Sequence, residues 1–190
     1  AATFLLGDNL ERTTQGGGIY TYTSQQGAAA FRDTGSFDAA GSLSQENAEA
    51  FCRDFCKAFS YDTPIFTLDE TGSGTATAVR LWNGTPVFNA AVTFTIDQGR
   101  VLSASGALLP ETGAETSSGQ KPLSAFAALT AFQQMRHASS SVVSSITEVS
   151  LCYELQSTTA APMALVPSWR IVTDTATFYV NCISGTVRRA

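Results

Sequence analysis

Groups able to do acid–base, nucleophilic or metal chemistry are few in this chain, and none falls at a spacing that such chemistry demands. His137 is the one histidine, and Lys57 and Lys121 are the only lysines. A single imidazole excludes a histidine-rich metal site and any mechanism that needs two. His137 follows Arg136 where a helix is expected to end, and the helix dipole favours a cation there. As a catalytic base it would need a partnered nucleophile and an orienting carboxylate, and the chain has no Gly-x-Ser-x-Gly elbow. Asp97 and Asp174 stand beside expected turns in corresponding parts of the two halves. Paired carboxylates do general acid–base work, but turn capping accounts for both more simply. A hydrolase would need Asp97, Asp174 and His137 gathered in one pocket. Gly16-Gly17-Gly18 is not a phosphate loop, because no Lys-Ser or Lys-Thr follows it.

Four cysteines raise the question of disulfides. Cys52 and Cys56 lie one helical turn apart, a poor orientation for the S–S torsion. Strand alternation puts Cys152 with Ser150 and Glu154, on a mostly polar face. Cys182 shares its face with Phe178 and Val180. If those strands were neighbours with apolar faces aligned, the two thiols would point to opposite sides. Geometry therefore favours free thiols packing as small apolar groups; an oxidising compartment keeps pairing open. A Cys-x-x-x-Cys pair with two distant cysteines does not match zinc spacing. No catalytic, metal-binding or cofactor-binding residue is assigned, and no cofactor is expected. Trp82 and Trp169 are the aromatic pair of most interest, with Arg80 and Arg170 close to them in sequence. Exposed, these four residues would form a partner surface. Buried, they are core.

These residues must be carried by a folded domain. The chain has 190 residues, 44% hydrophobic and 14% charged, with net charge −5. Its charged fraction is below the usual ~25%, and it lacks the low hydrophobicity of a disordered chain. Nucleic acid is excluded as a partner, since phosphate binding needs clustered Lys and Arg. No run of 18 apolar residues is present, as a membrane-spanning helix would require. The chain starts Ala1-Ala2-Thr3 with no visible signal peptide. A mature or trimmed form is the expectation, with membrane contact only through an anchor outside it.

Ile19–Thr23, Ala28–Asp33 and Ser36–Ala40 read as strands of a hairpin or meander. Ala48, Phe51, Cys52, Phe55, Cys56 and Phe59 fall at helical spacing, so a helix is expected over about 45–59, with Ser44 as N-cap and Glu46 in its first turn. Strands follow at Thr75–Trp82, Pro86–Ile96 and Arg100–Ser105. Asn83-Gly84 is a two-residue hairpin signal. The same Asn83-Gly84-Thr85 fits a glycosylation sequon, and the turn is the simpler reading. In the middle strand Phe88, Ala90, Val92, Phe94 and Ile96 alternate with polar or small residues, marking one apolar face. A polar linker, Glu111–Gln120, precedes a restart. Leu123-Ser124 repeats Leu43-Ser44, and Ala128, Ala131, Phe132 and Met135 repeat Ala48, Phe51, Cys52 and Phe55 at an offset of 80 residues. A helix is expected at 125–137, then strands at Ile146–Leu155, Ser168–Thr173 and Ala176–Ile183, with a further one at 186–188. The expected architecture is α+β: two helix-plus-antiparallel-sheet repeats behind an N-terminal β-hairpin or meander. Its divisions are 1–41, a β segment; 42–109, the first repeat; 110–121, the linker; and 122–190, the second repeat.

Two runs look familiar together. Asn83-Gly84-Thr85-Pro86-Val87-Phe88, followed by Val92 to Val101 (VTFTIDQGRV), resembles a segment of YycI- and YycH-type regulatory proteins. Val166-Pro167-Ser168-Trp169-Arg170-Ile171, followed by Phe178 to Val187 (FYVNCISGTV), resembles their closing segment and also that of PepSY-type modules. The resemblance implies the non-enzymatic, extracytoplasmic part of a membrane-anchored regulator at the bacterial cell surface. Such a part acts with a membrane sensor histidine kinase, or a related regulator, of a two-component system governing the cell wall. The PepSY likeness implies an alternative, a binding or peptidase-inhibitor module. No catalytic residue carries over from either.

Overall fold

The computed structural model describes residues 1–44, 47–110, 120–139, 142–157 and 163–190. The fold is mixed α+β and mostly sheet. Among the described residues a 12-stranded sheet carries three helices. In chain order these are α1 (Ala2–Leu6), β1 (Glu11–Gly16), β2 (Ile19–Ser24), β3 (Gly27–Arg32), β4 (Ser36–Gly41), α2 (Ala48–Ala58), β5 (Ile65–Leu68), β6 (Gly74–Trp82), β7 (Thr85–Asp97) and β8 (Arg100–Ala107). Then come α3 (Ala125–Ser139), β9 (Ile146–Gln156), β10 (Ala164–Thr173), β11 (Thr177–Asn181) and β12 (Val187–Arg189). The main path through the sheet is β1-β2-β3-β4-β8-β7-β9-β10-β11-β12, and β6, with β5 beyond it, also pairs with β7. The N-terminal meander is thus continuous with the rest, because β4 pairs antiparallel with β8.

Two elements escape the sequence pattern near the start. α1 has five residues, too few for a period, and every residue of β1 is exposed, so β1 shows no apolar face. β5 is a four-residue edge strand with mostly exposed side chains and is silent for the same reason. The expected cap of α2 also moves. Asn47, at φ 53°, is the N-cap, and its side chain accepts the N–H of Ala50 at 3.0 Å. Ser44 is instead buried, its N–H bonded to the Val101 carbonyl at 3.3 Å. The chain must leave β8 before it can turn into the helix; Glu46 lies outside the described residues. Ser124 does cap α3, accepting the N–H of Ala127 at 3.3 Å. The expected linker falls on residues 111–120, of which 111–119 lie outside the described residues.

β7 departs from its expected alternation. Its register with β6 runs Val79↔Ala91 and then jumps to Arg80↔Val87, so residues 88–90 bulge out. Ala90, Val92, Phe94 and Ile96 are buried as expected, but Val87 takes the next inward place. Phe88 leaves that face and stacks on Tyr179 of β11 at 3.7 Å.

Register also places the helices. Val87 pairs with Arg80, which shares parity with Ala76 and Ala78 in the core beneath α2. Tyr153, opposite Val87, shares parity with Leu151, whose partner Trp169 packs in the core beneath α3. Side chains alternate along each strand, so both helices lie on one face. The larger core centres on Phe55, fully buried. Its ring lies 4.7–6.0 Å from those of Phe4, Phe37, Phe59, Tyr61 and Phe94. The smaller core packs Ala128 and Phe132 of α3 on Ile171, Phe178 and Val180.

Phe55→Ala removes the centre of five aromatic contacts and is expected to cost about 3–5 kcal/mol. Urea denaturation checks this, and the loss should exceed that from Phe126→Ala on the solvent side of α3.

Candidate functional site

The residues that could do acid–base work are each held in a separate turn or helix end. His137 is exposed in the last turn of α3. Asp97 is exposed and accepts the Ser73 hydroxyl at 2.9 Å. Asp174 is exposed in the β10–β11 turn and accepts the N–H groups of Ser144 at 3.1 Å and Ser145 at 3.4 Å. Partial desolvation alone would raise the Asp174 pKa, but the bonds from Ser145 and Ser144 outweigh it and hold the carboxyl below its usual value. These are turn-capping contacts. Among the described residues no three His, Cys, Asp or Glu side chains are grouped to hold a metal ion.

The four cysteines are buried free thiols. Burial pushes Cys52 up to about 12, reinforced by Cys56. Burial and then the Asp62 carboxylate push Cys56 up to about 12. Cys152 also rises to about 12, chiefly by burial. Such thiols are poor nucleophiles, since the thiolate is the reactive form. Cys152 keeps its expected parity with Ser150 and Glu154, but the face is not open at its position. It is the one fully buried residue of β9, on the face expected to be polar, and its thiol donates to the Ser168 carbonyl at 3.2 Å. β9 and β11 are also not neighbours, because β10 lies between them.

The tryptophan–arginine set divides. Arg80 is not a surface residue: it is 2% exposed. Its guanidinium donates to the Phe59 carbonyl and to the Leu109 carbonyl at 3.2 Å, and lies 5.6 Å from the Tyr61 ring centroid. Tyr61 in turn donates its hydroxyl to the Ala107 carbonyl at 2.6 Å. Phe59 is the C-cap of α2, where orphan carbonyls need donors and the dipole favours a cation. Trp82 is half-buried against the junction cluster of Val87, Ala90 and Leu109. Trp169 packs under α3 and donates its indole N–H to the Leu123 carbonyl at 2.9 Å. Arg170 lies on the opposite face, paired with Glu148 at 2.8 Å. The four do not form one patch, because alternation sends Trp169 and Arg170 to opposite sides of β10 and Arg80 sits inside.

An open, polar cleft of about 640 Å³ lies between the α1–β1 loop and the β2–β3 turn, lined by Gly7, Asp8, Asn9, Glu11, Thr23 and Gln26 among others. It offers amides, carboxylates and hydroxyls, with no base–nucleophile pair. The other distinctive surface is on β9. α3 packs over β11 and β12, so the helix-side face of β9 is left partly bare. Ile146 is 39% and Leu151 43% exposed there, with Val149 half-buried between them. β7 meets β9 at one parallel pair, Val87↔Tyr153. The stretch of β9 before that pair has β10 as its one ladder partner among the described residues. No sequence signal marked this surface, since its apolar residues read as ordinary core alternation.

No family model matches the chain, and no curated protein matches it. Among solved structures it is similar to the Bacillus megaterium YpeB C-terminal domain, at 13% identity and TM-score 0.46, covering 99% of this chain and 93% of that one. It is also similar to an uncharacterized protein from Eubacterium rectale, at 12% identity and TM-score 0.45, covering 95% of this chain and 71% of that one.

Arg80→Met leaves two buried carbonyls without their donor, each costing about 1–3 kcal/mol. Urea denaturation should show a loss of at least about 2 kcal/mol, with Arg80→Lys between it and the parent. The thiols set a pH dependence. Their folded pKa values lie above the unfolded value near 9, so the stability they contribute is complete below pH 9 and is lost as pH rises toward about 12. Denaturation midpoints should fall from pH 9 upward, and alanine at Cys52, Cys56 and Cys152 should flatten that fall.

Proposed function

We propose that the chain is a non-catalytic binding domain that regulates a partner protein by presenting its sheet. The observation that carries this reading is the partly bare apolar strip on β9, Ile146, Val149 and Leu151, beside a stretch of strand with an open edge. Open edges and exposed apolar faces are where extended partner segments add to sheets. The reading is supported by the dispersal of these groups: His137 lies in the last turn of α3, while Asp97 and Asp174 hold separate turns.

The resemblance to YycI- and YycH-type proteins refines the partner. On that reading the domain is extracytoplasmic, sits at the bacterial cell surface, and modulates a membrane sensor histidine kinase of a two-component system. The alternative is a PepSY-like binding or peptidase-inhibitor module. It is supported by chain order: α2 is followed by four antiparallel strands, β5 to β8, and α3 by four more, β9 to β12. The two stretches restart at the matching Leu43-Ser44 and Leu123-Ser124, which fits an internal repeat of one module.

The experiment is capture by the intact protein of a membrane sensor histidine kinase from the same organism, compared with capture of an extracytoplasmic peptidase from it. Binding to the kinase, weakened at least about tenfold by Leu151→Asp without loss of fold, is the expected result. Binding to the peptidase alone replaces the kinase reading with the alternative. Equal binding by the parent and Leu151→Asp removes β9 as the contact surface.

A further inference from the structure

We propose that β5 is a second docking edge, the counterpart of β9, and takes an extended apolar partner segment with basic ends. The proposal rests on the reading that β9 receives a partner strand. The two strands hold the same place in the chain. Each is the first strand after a helix, α2 or α3, and the first of four antiparallel strands. Each helix packs toward the far strands of its group, α2 on β8 and α3 on β11 and β12, so the first strand is left partly bare. On β5 Phe66 stands opposite buried Ala76, and on β9 Val149 stands opposite buried Ile171. Both are half-buried on the helix side. Two residues on, Leu68 is 44% and Leu151 43% exposed on that same side.

The backbone matches as well. The Asp69 N–H donates to the Ser73 carbonyl at 2.9 Å, where the β5–β6 ladder ends in its turn. Bonding alternates along an antiparallel strand. Thr67 and Ile65 therefore also turn to β6, and Phe66 and Leu68 point their N–H and C=O groups at the free edge. On β9 the Leu155 N–H and C=O both meet the Asn89 side chain, away from β10. The same alternation turns Val149 and Leu151 away from β10. Among the described residues β6 is the one ladder partner of β5. Both edges thus offer outward backbone groups and apolar side chains at the same two places, the means by which a strand is added. Charge selects the occupant at β5. Asp62 precedes the strand, Asp69 and Glu70 follow it, all three exposed, and no Lys or Arg lies within it. A second copy pairing antiparallel on β5 would bring Asp62 of one copy near Glu70 of the other, and like charges across a ladder repel. A segment with Lys or Arg at its ends meets those carboxylates favourably.

The probe is a synthetic Lys-Val-Thr-Val-Thr-Val-Lys peptide, read by hydrogen exchange of single amides and by calorimetric stoichiometry. In the free protein the amides of Phe66, Leu68, Val149 and Leu151 should exchange fast. The peptide should slow all four and bind at two per chain. Leu68→Asp should lose one of the two peptides and the protection of Phe66, and keep that of Val149 and Leu151. Leu151→Asp should do the reverse. A peptide with Glu in place of both Lys should bind β5 more weakly, and the gap should narrow in salt. One peptide per chain, protecting Val149 and Leu151 alone, overturns the β5 edge and leaves the β9 reading standing. Protection of Phe66 and Leu68 alone keeps the β5 edge and removes β9 as the contact surface. Protection of neither pair overturns both. Protection of Phe66 and Leu68 without peptide, at concentrations where the chain dimerises, assigns the edge to a second copy and overturns the proposed occupant.

Discussion

The buried guanidinium of Arg80 is the constraint around which the larger half is arranged. A cation taken out of water must have its donors satisfied, or the cost runs to several kcal/mol. Its acceptors here are backbone carbonyls where regular structure has just ended: Phe59 at the C-cap of α2, and Leu109 two residues beyond β8. The helix dipole makes the first of these a favourable place for positive charge. Tyr61 covers the guanidinium and fixes the end of β8 through its hydroxyl. One side chain therefore sets where α2 stops, where β6 changes register, and where the chain leaves the sheet for α3.

That register change has a wider effect. The jump from Val79↔Ala91 to Arg80↔Val87 lets β7 keep β6 along one edge while dividing the other between β8 and β9. A straight strand would have been filled along that edge by β8 alone. The bulge turns Val87 inward, sends Phe88 to the back of the sheet and puts the Asn89 amide against Leu155. Bulges commonly re-aim side chains and end pairing in this way. The sheet becomes a single surface with both helices on one face, and the bare strip of β9 lies between the ground they cover.

On the proposed reading this surface meets a partner protein. Several of its polar groups hold turns, as at Asp69, whose carboxylate accepts from Thr71 and Ser73. Its thiols are buried and kept protonated by that burial. The free stretch of β9 offers a partner backbone edge and apolar side chain, the means by which sheets bind extended segments.

Local chemistry was legible in the residues themselves. The α2 stripe, the Asn83-Gly84 turn, the Ser124 cap and most of the strands follow from spacing and backbone preference, because those forces act within a few residues. The α+β class follows from them as well. Tertiary structure decided which residues lie on which side. Phe88 fits the β7 alternation and still leaves it, because the bulge answers to Arg80 and to β9, 66 residues away from Asn89 at Leu155. Arg80 could be surface or core until Phe59 and Leu109 converge on it, and Leu151 reads as core until α3 settles over β11 and β12. Periodicity names an apolar face, but only the packed elements determine whether anything covers it.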